Sequence, residues 1–212
     1  MYMALATRPN ISFAVAALCR FNSLPSTSHL TTAKSVLLYL KSTADFRLHS
    51  SSTGSNDPHT GYMDSNWAND SAECKSQGGH VFLLSNEAVS WQSQKQYLIA
   101  MSTLEADYIA CSDGSHEAKW LLQLHRDIQG KDASPLPINC DNQSALSHIP
   151  TGIINVRKKY IDVCYHNSRD LHVRNIVDYS YVHTNKDVVD IPTKALTKDK
   201  HEKLTKAMGL WW

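Results

Sequence analysis

Met101–Ile128, MSTLEADYIACSDGSHEAKWLLQLHRDI, carries the longest helical periodicity in the chain, and its reading decides the fold. Leu104, Tyr108, Cys111, Ser115, Ala118 and Leu122 recur at three- and four-residue steps, so they share one helical face and turn it toward a core. Ser102 and Glu105 stand at the spacing of a capping box, in which the serine oxygen accepts from a first-turn amide and the carboxylate reaches back to the serine amide. That reading explains Glu105 without giving it any chemistry. A second reading depends on what the rest of the chain brings to the mouth of this helix.

On the N-terminal side the hydrophobic period changes to two. His59–Trp67, Gly79–Ser85 and Ala88–Gln94 predict three strands in close succession, hence an antiparallel meander. On the C-terminal side the helix ends near Gly130, and PLPINC, Pro135–Cys140, is a short apolar strand running into Asp141. A helix joining two strands of one sheet implies that they pair in parallel. A short helix over NQSALSHI, a helix over Tyr160–His172, a strand over Ile176–His183 and a last helix over Val189–Met208 complete a mixed sheet with helices packed on it.

Two further helices precede the sheet. Pro9 suits a first helical turn, and Phe13, Ala17, Leu18 and Phe21 share a face. Ser28 is placed to cap a second helix, with Leu30, Ala33, Leu37 and Leu40 as its apolar stripe. The expected organisation is therefore a helical hairpin over residues 1–50, a polar linker over 51–58 (SSTGSNDP) and a domain over 59–212.

Composition narrows the function classes. Of 212 residues, 42% are hydrophobic and 19% charged, which fits an ordinary globular protein and neither a disordered nor a membrane chain. Lys+Arg 21 against Asp+Glu 20 gives a net charge of +1, so any nucleic-acid contact must be local. The cysteines at 19, 74, 111, 140 and 164 form no C-x-x-C pair, which argues against a zinc site or a disulfide frame. No membrane contact is expected. An intracellular location is, in the cytoplasm with the nucleus as the alternative.

Four carboxylates recur at related places: Asp64 inside the first strand, Glu105 at the mouth of the central helix, Asp141 at the end of the following strand and Asp190 at the start of the last helix. Singly, Asp141 and Asp190 are explained as caps or helix-dipole partners. Asp64 is harder to explain, because strands deplete Asp and a half-buried charge needs a partner. If the strands of Asp64 and Asp141 are neighbours, the group repels itself, by about 4 kcal/mol for a pair about 4 Å apart at an effective dielectric of about 20. Such a group needs cations, and oxygen-only donors select a hard ion, magnesium or alternatively manganese.

The order of these acids, with the strings GYMDSNWA, KSQGGHVF, VSWQSQKQ, MSTLEADYIA, CDNQSA, KYIDVCYH and VDIPTKAL, resembles the ribonuclease H domain of copia-type LTR retrotransposon polyproteins over residues 59 to 210. MYMALATRPNISFAVAALCRF and TAKSVLLYLKST resemble the tail of the reverse transcriptase that precedes it. The resemblance implies an α/β, ribonuclease H-like fold: a mixed five-stranded sheet, its first three strands antiparallel, with flanking helices. It implies hydrolysis of the RNA strand of an RNA–DNA hybrid with two Mg2+ ions, giving 5′-phosphate and 3′-hydroxyl ends. Asp64, Glu105, Asp141 and Asp190 would be the catalytic metal ligands. Ser102, Asn142 and Gln143 would face the hybrid's minor groove, where the 2′-hydroxyl separates RNA from DNA. His183, seven residues before Asp190, stands in for the mobile histidine of cellular relatives. The remaining partner would be the reverse transcriptase of the same polyprotein.

Arg157, Lys158 and Lys159, with the lysines at 194, 198, 200, 203 and 206, are expected either to line phosphates or to form a solvated face. The alternative to the enzyme is a catalytically silent, truncated or repurposed retroelement remnant that binds nucleic acid or protein.

Overall fold

The computed structural model describes residues 1–49, 59–70, 72–130, 135–151 and 159–212, without the side chains of 151 and 159–165. The expected linker 51–58, Arg157 and Lys158 lie outside them, as does the Tyr160 side chain.

The chain opens with α1 (Tyr2–Ala6), a 3-10 turn at Pro9–Ile11, α2 (Ser12–Cys19), α3 (Thr27–Ser42) and a short strand β1 (Arg47–Leu48). Pro9 begins the turn that feeds α2, where its missing amide costs nothing. The cap of α3 is Ser26 rather than Ser28: its Oγ accepts from His29 N at 3.3 Å, and its own amide donates to His29 Nδ1 at 3.1 Å. The packed face of α3 is also offset from the expected stripe. Leu30 and Leu37 are exposed, whereas His29 stacks on Phe21 and Tyr39 reaches Asn10.

The central sheet is built from β2 (Thr60–Asn66), β3 (Gln77–Leu84), β4 (Glu87–Lys95), β5 (Leu136–Cys140) and β6 (Val177–Tyr181). Its order is β4-β3-β2-β5-β6. β2, β3 and β4 pair antiparallel, while β5 pairs parallel with β2 and β6 parallel with β5. The meander read from the sequence is present, but the strands that the central helix joins, β4 and β5, run parallel without pairing, because β5 passes β4 and β3 to lie beside β2.

The helix that crosses between them, α4 (Thr103–Gln129), ends in Gly130 at φ 66°, a left-handed cap that suits glycine. Its buried face is the expected one, with Tyr108, Cys111, Ser115 and Ala118 buried. Cys111, Ala118 and Leu121 pack with Met63, Phe82, Ile138, Cys140, Leu171 and Val177 in one core. Gly114 sets how closely α4 lies on β2, since a Cβ there would sit 2.4 Å from Met63 Cε.

After β5 come α5 (Gln143–Thr151) and α6 (Lys159–Val173). Beyond β6 and a 3-10 turn at Thr184–Lys186, the last helix expected over Val189–Met208 is two helices, α7 (Asp190–Thr193) and α8 (Lys198–Ala207), before a final strand β7 (Leu210–Trp211). The chain is extended at Lys194 (φ −134°, ψ 153°) and at Thr197, the residue before α8. The break lets Leu196 join the second core, where Val81, Leu83, Val188, Val189, Ile191, Leu204 and Met208 fill the other face of the sheet.

Residues 1–49 are packed on the sheet domain. Trp91 Nε1 donates to Ala4 O at 2.7 Å, and the His201 ring nitrogen lies 2.8 Å from Asn10 O. Arg20 pairs with Gln77 and lies 3.6 Å from Asp70. β1 also pairs antiparallel with β7, a two-stranded ladder that the sequence reading did not anticipate. Among the described residues, no helix is long and apolar enough to cross a membrane.

Candidate active site

The parallel register pairs Gly61 with Ile138 and Tyr62 with Asn139. Continued two residues, it sets Asp64 beside Asp141 at the carboxyl end of the β2/β5 pair. Alternation along β2 turns Met63 into the core under α4 and Asp64 toward α7.

Asp64 is 3% exposed, and its Oδ2 accepts from Thr193 Oγ1 at 2.6 Å and from Lys194 Nζ at 3.1 Å. Burial pushes its carboxyl up to about 7 against the opposing pull of Lys194, with Asp107 and Asp141 adding to the rise. Asp141 Oδ2 accepts from Thr184 Oγ1 at 2.8 Å. Asp190 is buried, with Oδ1 2.8 Å from Lys194 Nζ and Oδ2 bonded to Lys200 Nζ. Burial works against the Lys194 charge, but Asp64 and Asp190 outweigh it and hold the ammonium above its ordinary range.

Glu105 does not join this group. Its Oε2 accepts from Met101 N at 2.8 Å, and its amide donates to Ser102 Oγ at 3.2 Å, so both groups serve the N-terminus of α4. The helix residue that meets the strands is Asp107. Its Oδ1 accepts from Ser65 N at 3.0 Å and Ser65 Oγ at 2.6 Å, and its Oδ2 from Asn142 Nδ2 at 2.7 Å. Residues two apart on a helix point to nearly opposite sides, so one of the pair faces the strand ends and the other cannot. The signal was available: at about 100° per residue, Asp107 lies about 60° from the centre of the buried face and Glu105 about 100° from it on the other side.

Asp187 is a second residue the sequence reading missed. It is 0% exposed; Oδ1 accepts from Val189 N at 3.2 Å, while the buried Oδ2 has no partner. Burial, and then Asp64, push its carboxyl well above the usual range, with Asp141 and Asp190 adding to the rise. Burial also raises Asp107, against the hydrogen bonds from Ser65 and Asn142.

The other expected contacts resolve less favourably for a substrate role. Ser102 caps α4. Asn142 Oδ1 accepts from Ser144 N at 3.0 Å and Ala145 N at 3.2 Å, so Asn142 caps α5 and orients Asp107 with its amide nitrogen. Gln143 is exposed at the start of α5. His183 is exposed, and its Nδ1 accepts from Asn185 N at 3.2 Å, which fixes it as the cap of the 3-10 turn. Of the lysines, 194 and 200 serve Asp190, Lys198 lies 3.9 Å from Glu202, Lys203 reaches Asn185 O and Lys206 stands over the Trp212 ring.

The donor chemistry, all carboxylate oxygen with one buried acceptor unpartnered, fits a hard divalent cation. Yet among the described residues no three His, Cys, Asp or Glu side chains are grouped to hold one ion. Where Asp64 and Asp190 converge, the cation present is the Lys194 ammonium.

A mixed five-stranded sheet in this order, its acids gathered at the ends of the parallel strands, defines a ribonuclease H-like domain. No family model matches the chain. It is 33% identical over 211 residues to the retrovirus-related Pol polyprotein from transposon TNT 1-94 of Nicotiana tabacum, covering 99% of this chain and 16% of that protein. To the Pol polyprotein from transposon RE1 of Arabidopsis thaliana it is 29% identical over 209 residues, covering 99% and 14%. Along almost its whole length the chain is thus similar to retrovirus-related Pol polyproteins of plant transposons, and it spans about one-sixth of the length of these relatives. It is also 38% identical over 130 residues to the secreted RxLR effector protein 161 of Plasmopara viticola, covering 61% of this chain and 91% of that protein. Among solved structures, LC11-RNase H1 in complex with an RNA/DNA hybrid aligns with a TM-score of 0.47 at 9% identity, covering 64% of this chain and 93% of that one. The N-terminal RNase H domain of rv2228c from Mycobacterium tuberculosis aligns with a TM-score of 0.42 at 12% identity, covering 71% and 94%.

Proposed function

We propose that this chain is a ribonuclease H that hydrolyses the RNA strand of RNA–DNA hybrids, acting in a reducing intracellular compartment beside the reverse transcriptase of a retrotransposon polyprotein. The observation that carries the reading is that Asp64 and Asp141 end neighbouring parallel strands while Asp107 is held by Ser65, next to Asp64, and by Asn142, next to Asp141, with Asp187 and Asp190 on the segment after β6. Asp64, Asp107, Asp141 and Asp190 are the ligands in this reading, with Asp107 taking the helix position first assigned to Glu105. Two bound Mg2+ ions, with Mn2+ as the alternative, would supply Lewis-acid stabilisation of the phosphate and a water of lowered pKa.

The chain's own residues do the positioning. Ser65 and Asn142 hold both oxygens of Asp107, Thr193 holds Asp64, and Thr184 holds Asp141, so the acids are oriented before substrate arrives. In-line attack of water on phosphorus, with departure of the ribose 3′ oxygen, leaves 5′-phosphate and 3′-hydroxyl ends. The exposed Gln143 is the remaining candidate for a minor-groove contact.

Magnesium-dependent cleavage of an end-labelled RNA–DNA hybrid, compared with duplex RNA and duplex DNA, tests the reading. Cleavage confined to the RNA of the hybrid supports it, and no cleavage in either Mg2+ or Mn2+ defeats it. The second reading is a non-cleaving binding module, favoured by the likeness to a protein described as a secreted effector. Hybrid binding without cleavage would select it.

A further inference from the structure

We infer that Lys194 is a built-in cation that fills the seat between Asp64 and Asp190 and must be displaced before a divalent ion can bind. This deepens the nuclease reading and rests on it for its purpose, although the lysine contacts stand by themselves. Nζ lies 3.1 Å from Asp64 Oδ2 and 2.8 Å from Asp190 Oδ1, bridging a strand acid and a helix acid as an ion would. Both acids are buried, at 3% and 1% exposure, so neither has solvent as an alternative partner.

Asp190 and Lys194 stand four residues apart across α7, the spacing that brings side chains together on one helix face, and the backbone turns extended at Lys194 itself. The ammonium is not sealed in. Its side chain is 29% exposed and borders a cleft of about 420 Å³, lined also by Phe13, Ala17, Leu196 and His201, which gives the chain of methylenes somewhere to swing. Lys200 stays on the second oxygen of Asp190 and keeps that acid in place meanwhile.

The energetic consequence is a competition. If the lysine holds the seat nine-tenths of the time, the apparent dissociation constant for the ion rises about tenfold, because only the open fraction binds. Lys194 thus guards the metal-free centre against the repulsion of its acids and sets the ion concentration at which the centre loads.

Titration calorimetry of the full chain with MgCl2 reads this directly. Lys194→Met keeps the aliphatic stem and should lower the half-saturating Mg2+ at least about tenfold. Lys198→Met, which removes an equal charge from an 84% exposed side chain, should leave it unchanged. Equal shifts in the two variants, no shift in Lys194→Met, or no Mg2+ binding by any form would each overturn the inference. Should Lys194→Met fail to fold, acetylation of the wild-type chain replaces it. With peptide mass spectrometry and ionic strength matched by NaCl, Mg2+ should raise the Lys194 rate severalfold relative to Lys198. An unchanged ratio overturns the inference. Chain that loads Mg2+ and frees Lys194 yet cleaves no labelled hybrid would defeat the nuclease reading and leave the lysine seat standing.

Discussion

Asp107 Oδ1 accepts from both the amide and the hydroxyl of Ser65, the residue that follows Asp64 in β2. One contact thereby fixes the distance between the first turns of α4 and the end of the strand that carries the first acid. Asn142 completes it from the other side, because its Oδ1 is committed to the amides of α5 and its amide nitrogen is left to face Asp107. Three elements far apart in sequence are tied at a single carboxylate.

The raised carboxyl of Asp64 makes metal-free stability depend on pH. Its folded value of about 7 stands above its ordinary value of 3.8, so the folded state binds more protons between the two. Stability is greatest below pH 4 as far as this group is concerned, and falls as pH rises toward 7, by up to about 4 kcal/mol. Buried His80, held down to about 4 by its burial, acts in the opposite sense, so the Asp64 share is read from the gap in denaturant stability between pH 5 and pH 8 in chelator, wild type against variant. Asp64→Asn should shift that gap in favour of pH 8 by about 2 to 3 kcal/mol. An unchanged gap would mean that Asp64 ionises as an ordinary surface acid.

Residues 1–49 should prove part of the folding unit. The sequence reading sets the hairpin apart from the domain by a polar linker, but the Trp91–Ala4, Asn10–His201 and Arg20–Asp70 contacts cross that boundary, and β1 completes a ladder with β7. Starting the chain at residue 55 should lower the melting temperature by at least about 10 °C, equivalent to roughly 3 kcal/mol or more. A truncated chain that melts with the full one would restore the separable hairpin.

What the sequence discloses follows the range of the interaction that decides each feature. The strands, the meander and the long amphipathic helix are legible because period-two and helical patterns are local. The placing of β5 beside β2 rather than β4, which sets Asp64 next to Asp141, is a matter of topology that the sequence reading leaves conditional. The choice between Glu105 and Asp107 is not fixed by the capping pattern, because both residues sit in the first turns of α4; the helical angle favours Asp107, and its contacts with Ser65 and Asn142 decide it. Asp187 and the contact of Lys194 with Asp64 are hidden more deeply, since they depend on the turn after β6 and on how α7 packs beside β2, whereas Asp190 and Lys194 form an ordinary pair four residues apart.

Gly79 offers a test of how α7 is held against the sheet. A Cβ there would lie 2.9 Å from Gln92 O and 2.9 Å from Thr193 Cγ2, so the second clash falls on the residue whose hydroxyl bonds Asp64. Gly79→Ala should cost about 1 to 3 kcal/mol by overpacking and weaken Mg2+-dependent cleavage beyond what that loss of folded protein explains. Alanine tolerated with full stability would show that α7 rides freely on β3.

The last pair of variants decides which acid at the mouth of α4 does chemistry. Glu105→Gln preserves an oxygen to accept from the Met101 amide, so its melting temperature should stay within about 2 °C of wild type and its cleavage should persist. Asp107→Asn is a different change. Asn142 cannot turn its amide over without uncapping α5, so the new amide nitrogen would face another nitrogen in a buried place. That mismatch should cost about 1 to 3 kcal/mol. Loss of the charge that holds a hard ion should cost more in rate, at least about a hundredfold in hybrid cleavage, or about 2.7 kcal/mol of barrier. Cleavage measured at a temperature where both variants remain folded separates the two effects. If Glu105→Gln were the silent enzyme and Asp107→Asn the active one, the contacts of Asp107 with Ser65 and Asn142 would be scaffolding alone, and the metal site would have to be redrawn around the helix cap.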